Sequence, residues 1–435
     1  MPYPLVLPRL DPEFFDVPLP PGRMIRQRLP DERLADVTAA VRAQFARPEI
    51  RAVLPHRGRV GIGVGSRGLA ALPEIVAATV AAVREAGADP VIIPAMGSHG
   101  GATAEGQLEL LAGYGVTPER VGAPIDPSMD AVEIGRLADR TPVFTAASAL
   151  ACDGVIVINR IKPHTLFHGE VESGLIKMLA IGLGKQRGAA SLHALGFDTF
   201  PGSLIEAARL VLGRVKVLCG LATVENAFEE VALVEAVLPA TLLERERALL
   251  EQARRLMGRL PFSSIDVLVV DQIGKNISGD GMDPNVTGRY LPPGMQGEPR
   301  IQKIAVLDLT PETHGNACGL GVADITTRRV LEKIDLAQTY TNSITSTVLT
   351  GSRLPVCVET DEQAVRLAVR TCNRVQPPNV GIVRIANTLE LSHLWVSEPL
   401  WRQHAQRPEL TALTEPEPLP FAADGSLSPL HALAR

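Results

Sequence analysis

The sequence predicts an α/β protein: two α/β domains with mainly parallel sheets and an active site in the cleft between them. Three observations predict it. Short β-branched runs alternate with Ala/Leu-rich helical stretches along the whole chain, the pattern that builds parallel sheets through βαβ crossovers. The strand-like runs are apolar without polar alternation, as strands covered on both faces are. A length of 435 residues exceeds what one ordinary core accommodates.

The elements follow in order. Arg59 to Val64 reads as a strand, and Leu72 to Ala86 as a helix with Pro73 in its first turn and Gly87 just beyond its end. Asp89 to Pro94 is a second strand, and Thr103 can cap a helix reaching about Leu111. Gly154 to Asn159 is a third strand. Ser203 to Leu212 is helical, Val215 to Leu218 extended, and Ala240 to Arg259 a long amphipathic stretch. The Pro/Ser segment Leu260 to Ser264 marks a domain boundary. Strands then recur at Ile265 to Val270, Ile304 to Leu309, Val356 to Glu359 and Gly381 to Ile385, with a helix over Asp361 to Thr371. The expected division is an amino-terminal catalytic domain over residues 1–259, a carboxy-terminal domain over 265–412 and a Pro-rich surface tail over 413–435.

Composition excludes several function classes. A formal charge of −5 and 4% aromatic residues leave no basic surface or stacking platform for nucleic acid. No apolar run is long enough to span a membrane. Residues 1–16 show no charged start followed by an apolar run, and the five cysteines are odd in number and lack CxxC spacing. A cytoplasmic protein with reduced thiols is the expectation.

The chemistry-bearing residues cluster after strand ends, where ligands of parallel sheets bind. Gly63-Val64-Gly65-Ser66-Arg67-Gly68 matches the dinucleotide pattern G-x-G-x-x-G. The next strand, however, ends Ile92-Ile93-Pro94-Ala95-Met96 and offers no carboxylate for a ribose. A simple glycine turn also fits. Arg67 adds a cation suited to gripping a carboxylate or phosphate. His99 follows the second strand between glycines, and Lys162-Pro163-His164 follows the third, with His168 shortly after. Lys177 lies in the apolar run Leu175-Ile176-Lys177-Met178-Leu179. It is either a snorkelling lysine or a desolvated amine fit for covalent attachment. His193 is one imidazole, too few to hold zinc unaided but enough to complete the shell of a metal held by an organic chelator.

Taken together, these residues resemble the nickel-pincer lactate racemase family. The likeness spans most of the first domain and enters the second. It implies a racemase or epimerase acting on a 2-hydroxy acid, not necessarily lactate. The cofactor implied is a nickel-pincer nucleotide, a pyridinium thioamide/thiocarboxylate mononucleotide carrying nickel, attached to Lys177, with His193 as the metal ligand and Arg67 and Ser66 beside it. His99 and His164 are implied as the acid/base pair, with His168 the alternative second base. Arg67 with Gln272 and Lys275, in Asp271-Gln272-Ile273-Gly274-Lys275, is implied to hold substrate. Implied partners are the small substrate and cofactor-biosynthesis proteins, with no nucleic acid and no membrane; a homo-oligomer is compatible. The sequence also departs from the family. The arginine does not stand in Asp-x-Thr-Arg-Pro, Gly100 follows His99, the stretch from His164 to Lys177 is longer, and the only tryptophans are the late Trp395 and Trp401. The competing readings are an NAD-dependent 2-hydroxy acid dehydrogenase and a non-catalytic anion-binding protein.

Overall fold

A computed structural model describes residues 6–65, 68–292 and 294–430. In chain order its strands are β1 (Gly22–Gln27), β2 (Arg59–Val64), β3 (Asp89–Pro94), β4 (Ala131–Arg136) and β5 (Pro142–Ala146). These are followed by β6 (Gly154–Arg160), β7 (Val217–Glu225), β8 (Val231–Val237), β9 (Ser264–Ile273) and β10 (Arg300–Leu309). The last are β11 (Ile325–Thr327), β12 (Val356–Val358), β13 (Ile382–Ile385), β14 (His393–Ser397) and β15 (Leu410–Ala412). Six helices matter below: α1 (Leu72–Glu85), α2 (Ala104–Gly113), α3 (Lys185–His193), α4 (Phe200–Leu212), α5 (Leu242–Leu256) and α6 (Asp361–Arg370).

The chain divides into two compact units, Pro30–Met257 and a unit built from Met1–Leu29 with Gly258–Arg435. In the first unit the sheet order is β3-β2-β6-β7-β8. The first four strands are parallel and β8 runs antiparallel to β7. Both faces of the sheet are covered. Val155 and Val157 of β6 enter one apolar cluster and Ile156 and Ile158 the other, the period-two division a strand imposes. The register pairs Val64 with Pro94 and with Ile158, so β2, β3 and β6 deliver their carboxyl ends to one edge.

The second unit carries an eight-stranded sheet, β12-β11-β10-β9-β13-β14-β1-β15. It is parallel from β12 to β13 and antiparallel from there on. The mixed α/β class with mainly parallel sheets is therefore observed, with antiparallel margins that the sequence reading did not contain.

Two boundaries are corrected. The expected amino-terminal domain of residues 1–259 loses its first 29 residues. β1 pairs with β14 from Gly22 to Arg26, and the buried Gln27 amide donates to the carbonyls of Leu391 (2.6 Å) and Arg259 (3.1 Å). The Pro-rich segment from residue 413 is not a surface tail over its described part. Leu419, Leu427 and Leu430 are buried in the second unit's core. Asp271 explains the anchoring: its carboxylate takes both Arg384 Nε (2.6 Å) and Nη2 (2.9 Å), and accepts the Leu430 N–H at 3.1 Å. A carboxylate this desolvated needs that many donors. The five cysteines carry free thiols. No helix among the described residues is long and apolar enough to cross a membrane.

Candidate active site

The site is built from what lies across the strand ends of the first unit. A short helical turn, Leu175–Lys177, passes into a π-helical turn, Met178–Gly182, closed by Leu183 N–H on Met178 O at 2.9 Å. Such π turns recur at functional positions. Glycines let this segment lie close on the sheet. A Cβ at Gly220 of β7 would overlap Leu175, one at Gly65 would come within 2.9 Å of Met178, and one at Gly182 within 2.7 Å of the Ala95 carbonyl. Of the glycine cluster that begins in β2, Gly65 thus lies against the side chain of the residue following Lys177. Ser66 and Arg67, expected beside the cofactor, lie outside the described residues.

His99 stands on the loop leaving β3, exposed. Its N–H donates to Met96 O (3.1 Å), and Gly97, at φ +57°, donates to Gly182 O (3.3 Å) on the π turn. A side chain the sequence reading missed, the fully buried Gln107 of α2, donates to the carbonyls of Gly97 (3.2 Å) and His99 (3.3 Å) and holds the loop.

The segment after β6 makes an excursion from Lys162 to Ser173, closed at its neck by paired backbone hydrogen bonds of 3.0 and 3.2 Å. Its organiser is Glu172, also missed from sequence and 0% exposed. The carboxylate accepts the His164 N–H (2.5 Å), the Gly169 N–H (3.4 Å) and Arg254 Nη2 of α5 (2.5 Å), and contacts His168 Nδ1 (3.2 Å). Four partners compensate its desolvation. Replacing Glu172 by Ala should therefore cost about 3 kcal/mol of unfolding free energy in urea titrations. A loss under about 0.5 kcal/mol, typical of an exposed pair, would contradict this role.

Glu172 also separates the two candidate second bases. His168 is tied to Glu172. His164 turns its Nε2 onto Lys177 Nζ, while its Nδ1 accepts the Leu166 N–H at 3.0 Å. The lengthened stretch before Lys177 therefore leaves His164, not His168, at the lysine.

Aromatic rings gather the remaining members. Phe167 stacks on His164 at 4.2 Å between centroids and lies 5.8 Å from Lys177 Nζ. It meets Phe200 edge-on at 5.1 Å, and Phe200 stacks on His193 at 5.4 Å with an 11° interplanar angle. His164, Lys177 and His193 thus border one cluster of Phe167, Phe197 and Phe200. Burial, assisted by the nearby Lys177 charge, pushes the His193 imidazole down to about 4. At the start of α3, Lys185 is wholly buried with φ +54° and donates to Pro94 O, the end of β3, at 2.8 Å; burial lowers its amine to about 8.

Gln272 and Lys275 belong to the second unit, at the carboxyl end of β9 and just after it. The Gln272 N–H donates to Ala386 O (3.0 Å); Lys275 donates through its amide to Thr313 Oγ1 (3.1 Å) and through Nζ to Gly279 O. Among the described residues, no group of three or more His, Cys, Asp or Glu side chains could hold a metal by itself.

No family model and no curated protein matches the chain. Solved structures do. A protein from Thermotoga maritima aligns with TM-score 0.47 and 13% identity over 64% of this chain and 72% of its own. The lactate racemase apoprotein from Thermoanaerobacterium thermosaccharolyticum aligns with TM-score 0.43 and 12% identity over 80% and 85%.

Proposed function

We propose that the protein is a racemase or epimerase of a 2-hydroxy acid that works with a lysine-bound nickel-pincer nucleotide. The observation that carries this reading is the convergence of an amine, Lys177, with two imidazoles, His164 and His193, around one aromatic cluster at a parallel-sheet edge. These side chains fit the group. It needs one protein amine for its covalent link and one imidazole for its metal, and Lys177 and His193 would supply them. Bound there, it would accept the α-hydrogen of the substrate with its electron pair and return it to either face.

The chain's own residues would do the proton chemistry. Removing a proton from carbon would build charge on a molecule that is already anionic, whereas loss of the hydroxyl proton alongside departure of the α-hydrogen leaves a planar 2-keto acid. The hydroxyls of two enantiomers point to different sides, so two bases are needed, and His99 and His164 are assigned those roles. In the free chain His164 Nε2 and Lys177 Nζ hold each other. Arg67, Gln272 and Lys275 are assigned to the substrate carboxylate and oxygen.

The test uses protein produced together with cofactor-biosynthesis proteins and a panel of single-enantiomer 2-hydroxy acids followed by chiral chromatography. Loss of optical purity for at least one acid is expected. Retention of configuration across the panel by protein carrying the lysine adduct would overturn the proposal.

A further inference from the structure

The turn that carries Lys177 starts at Gly174, which has no side chain to receive the N–H groups of that turn. Those groups have no intrahelical partner and ordinarily take one from a capping side chain. Here the acceptor comes from far along the chain. Glu246 of α5, 1% exposed, receives the Ile176 N–H on Oε2 at 2.8 Å. A Cβ at Gly174 would collide with its Oε1, so the glycine and the carboxyl form one fitted unit. Oε1 is buried and takes no hydrogen bond among the described residues. Burial pushes the carboxyl up to about 8. An ordinary Ser or Thr cap would satisfy the same N–H groups without burying a carboxyl. Two turns further along α5, Arg254 holds Glu172 and through it the His164 loop. One helix thus grips both the lysine turn and the histidine that faces it.

We propose that Glu246 is a positioning residue for Lys177, holding the turn so that the amine meets His164; its importance for catalysis rests on the reading of Lys177 given above. The test is acetylation of the full-length chain with N-hydroxysuccinimidyl acetate. Mass spectrometry then gives the rate at Lys177 relative to the exposed Lys216 of the same molecule. Glu246→Ala should lower that ratio by about fivefold, the rate equivalent of one net hydrogen bond. Glu246→Gln, whose amide oxygen still accepts the Ile176 N–H, should stay within about twofold of the parent. An unchanged or increased ratio in a natively folded Glu246→Ala protein overturns the proposal, as does a Gln variant that behaves like Ala. Should Glu246→Ala fail to fold, Glu246→Asp keeps a carboxyl, withdraws it by one methylene and carries the same expectation. No cofactor enters the measurement, so a missing adduct on Lys177 in loaded protein would sink the proposed function and leave this result standing.

Discussion

Replacing Lys177 by Ala or by Arg should give a folded protein with no pincer adduct by intact-mass spectrometry and with racemisation reduced by on the order of 10⁶ or more, because without the adduct no hydride acceptor is held at the site. The two variants separate two roles. Arginine keeps the charge and much of the bulk beside Phe167 but has no amine that can acylate. If the lysine were needed only as a cation over the Phe167 ring, Lys177→Arg would retain much of the activity, and the attachment role would fall. Loss in both variants, with native unfolding transitions, is the expected result. Nickel content follows the same logic: with the amine gone, His193 alone is one ligand, short of what holds a metal firmly. Full nickel loading of a Lys177→Ala preparation would contradict the assignment.

The next largest effect is expected at His164. His164→Gln should slow proton removal from one enantiomer by about 10² to 10⁴ while sparing it from the other. Trapping the 2-keto acid formed from each single enantiomer reads this directly, because net racemisation needs both half-reactions and falls in either case. His168→Ala should lose less than about tenfold in both directions, since its side chain is 40% exposed and its partner is Glu172. A one-sided defect from His168→Ala, with none from His164→Gln, would reverse the two roles. Equal losses from both enantiomers in His164→Gln would remove the two-base scheme. His99→Ala should show the opposite asymmetry.

Much of this protein was legible locally. The strands Arg59–Val64 and Asp89–Pro94 stand where the apolar runs place them, because strands covered on both faces carry few polar residues inside the sheet. Thr103 does accept from the Gly106 N–H and start α2, and Thr360 does the same for α6; caps act within one turn and so are visible in four residues of sequence. His99, His164 and Lys177 could be singled out because glycines, a Lys-Pro-His and an apolar run bracket them in the chain itself.

What the sequence did not determine depends on partners distant along the chain. Strand β1 joins a sheet whose other members start at residue 264, and a strand's own pattern does not say which sheet it will enter. Leu427 and Leu430 sit in a Pro-rich stretch that reads as solvated, until the buried Asp271–Arg384 pair draws its backbone in. Glu172 and Glu246 look like any charged residues in a chain that is 21% charged. Each becomes a buried carboxyl only when α5 packs behind the strand-end segments, so that Arg254 reaches one and the turn of Lys177 meets the other. Which of His164 and His168 meets Lys177 was decided in the same way. Both follow β6, but one carboxylate binds the ring of His168 and the backbone of His164, which leaves the His164 ring for the lysine. The residue types that can do the chemistry are a property of the sequence. Which of them meet, and which are held aside, is settled by tertiary packing, because a buried charge must find its donors wherever along the chain they lie.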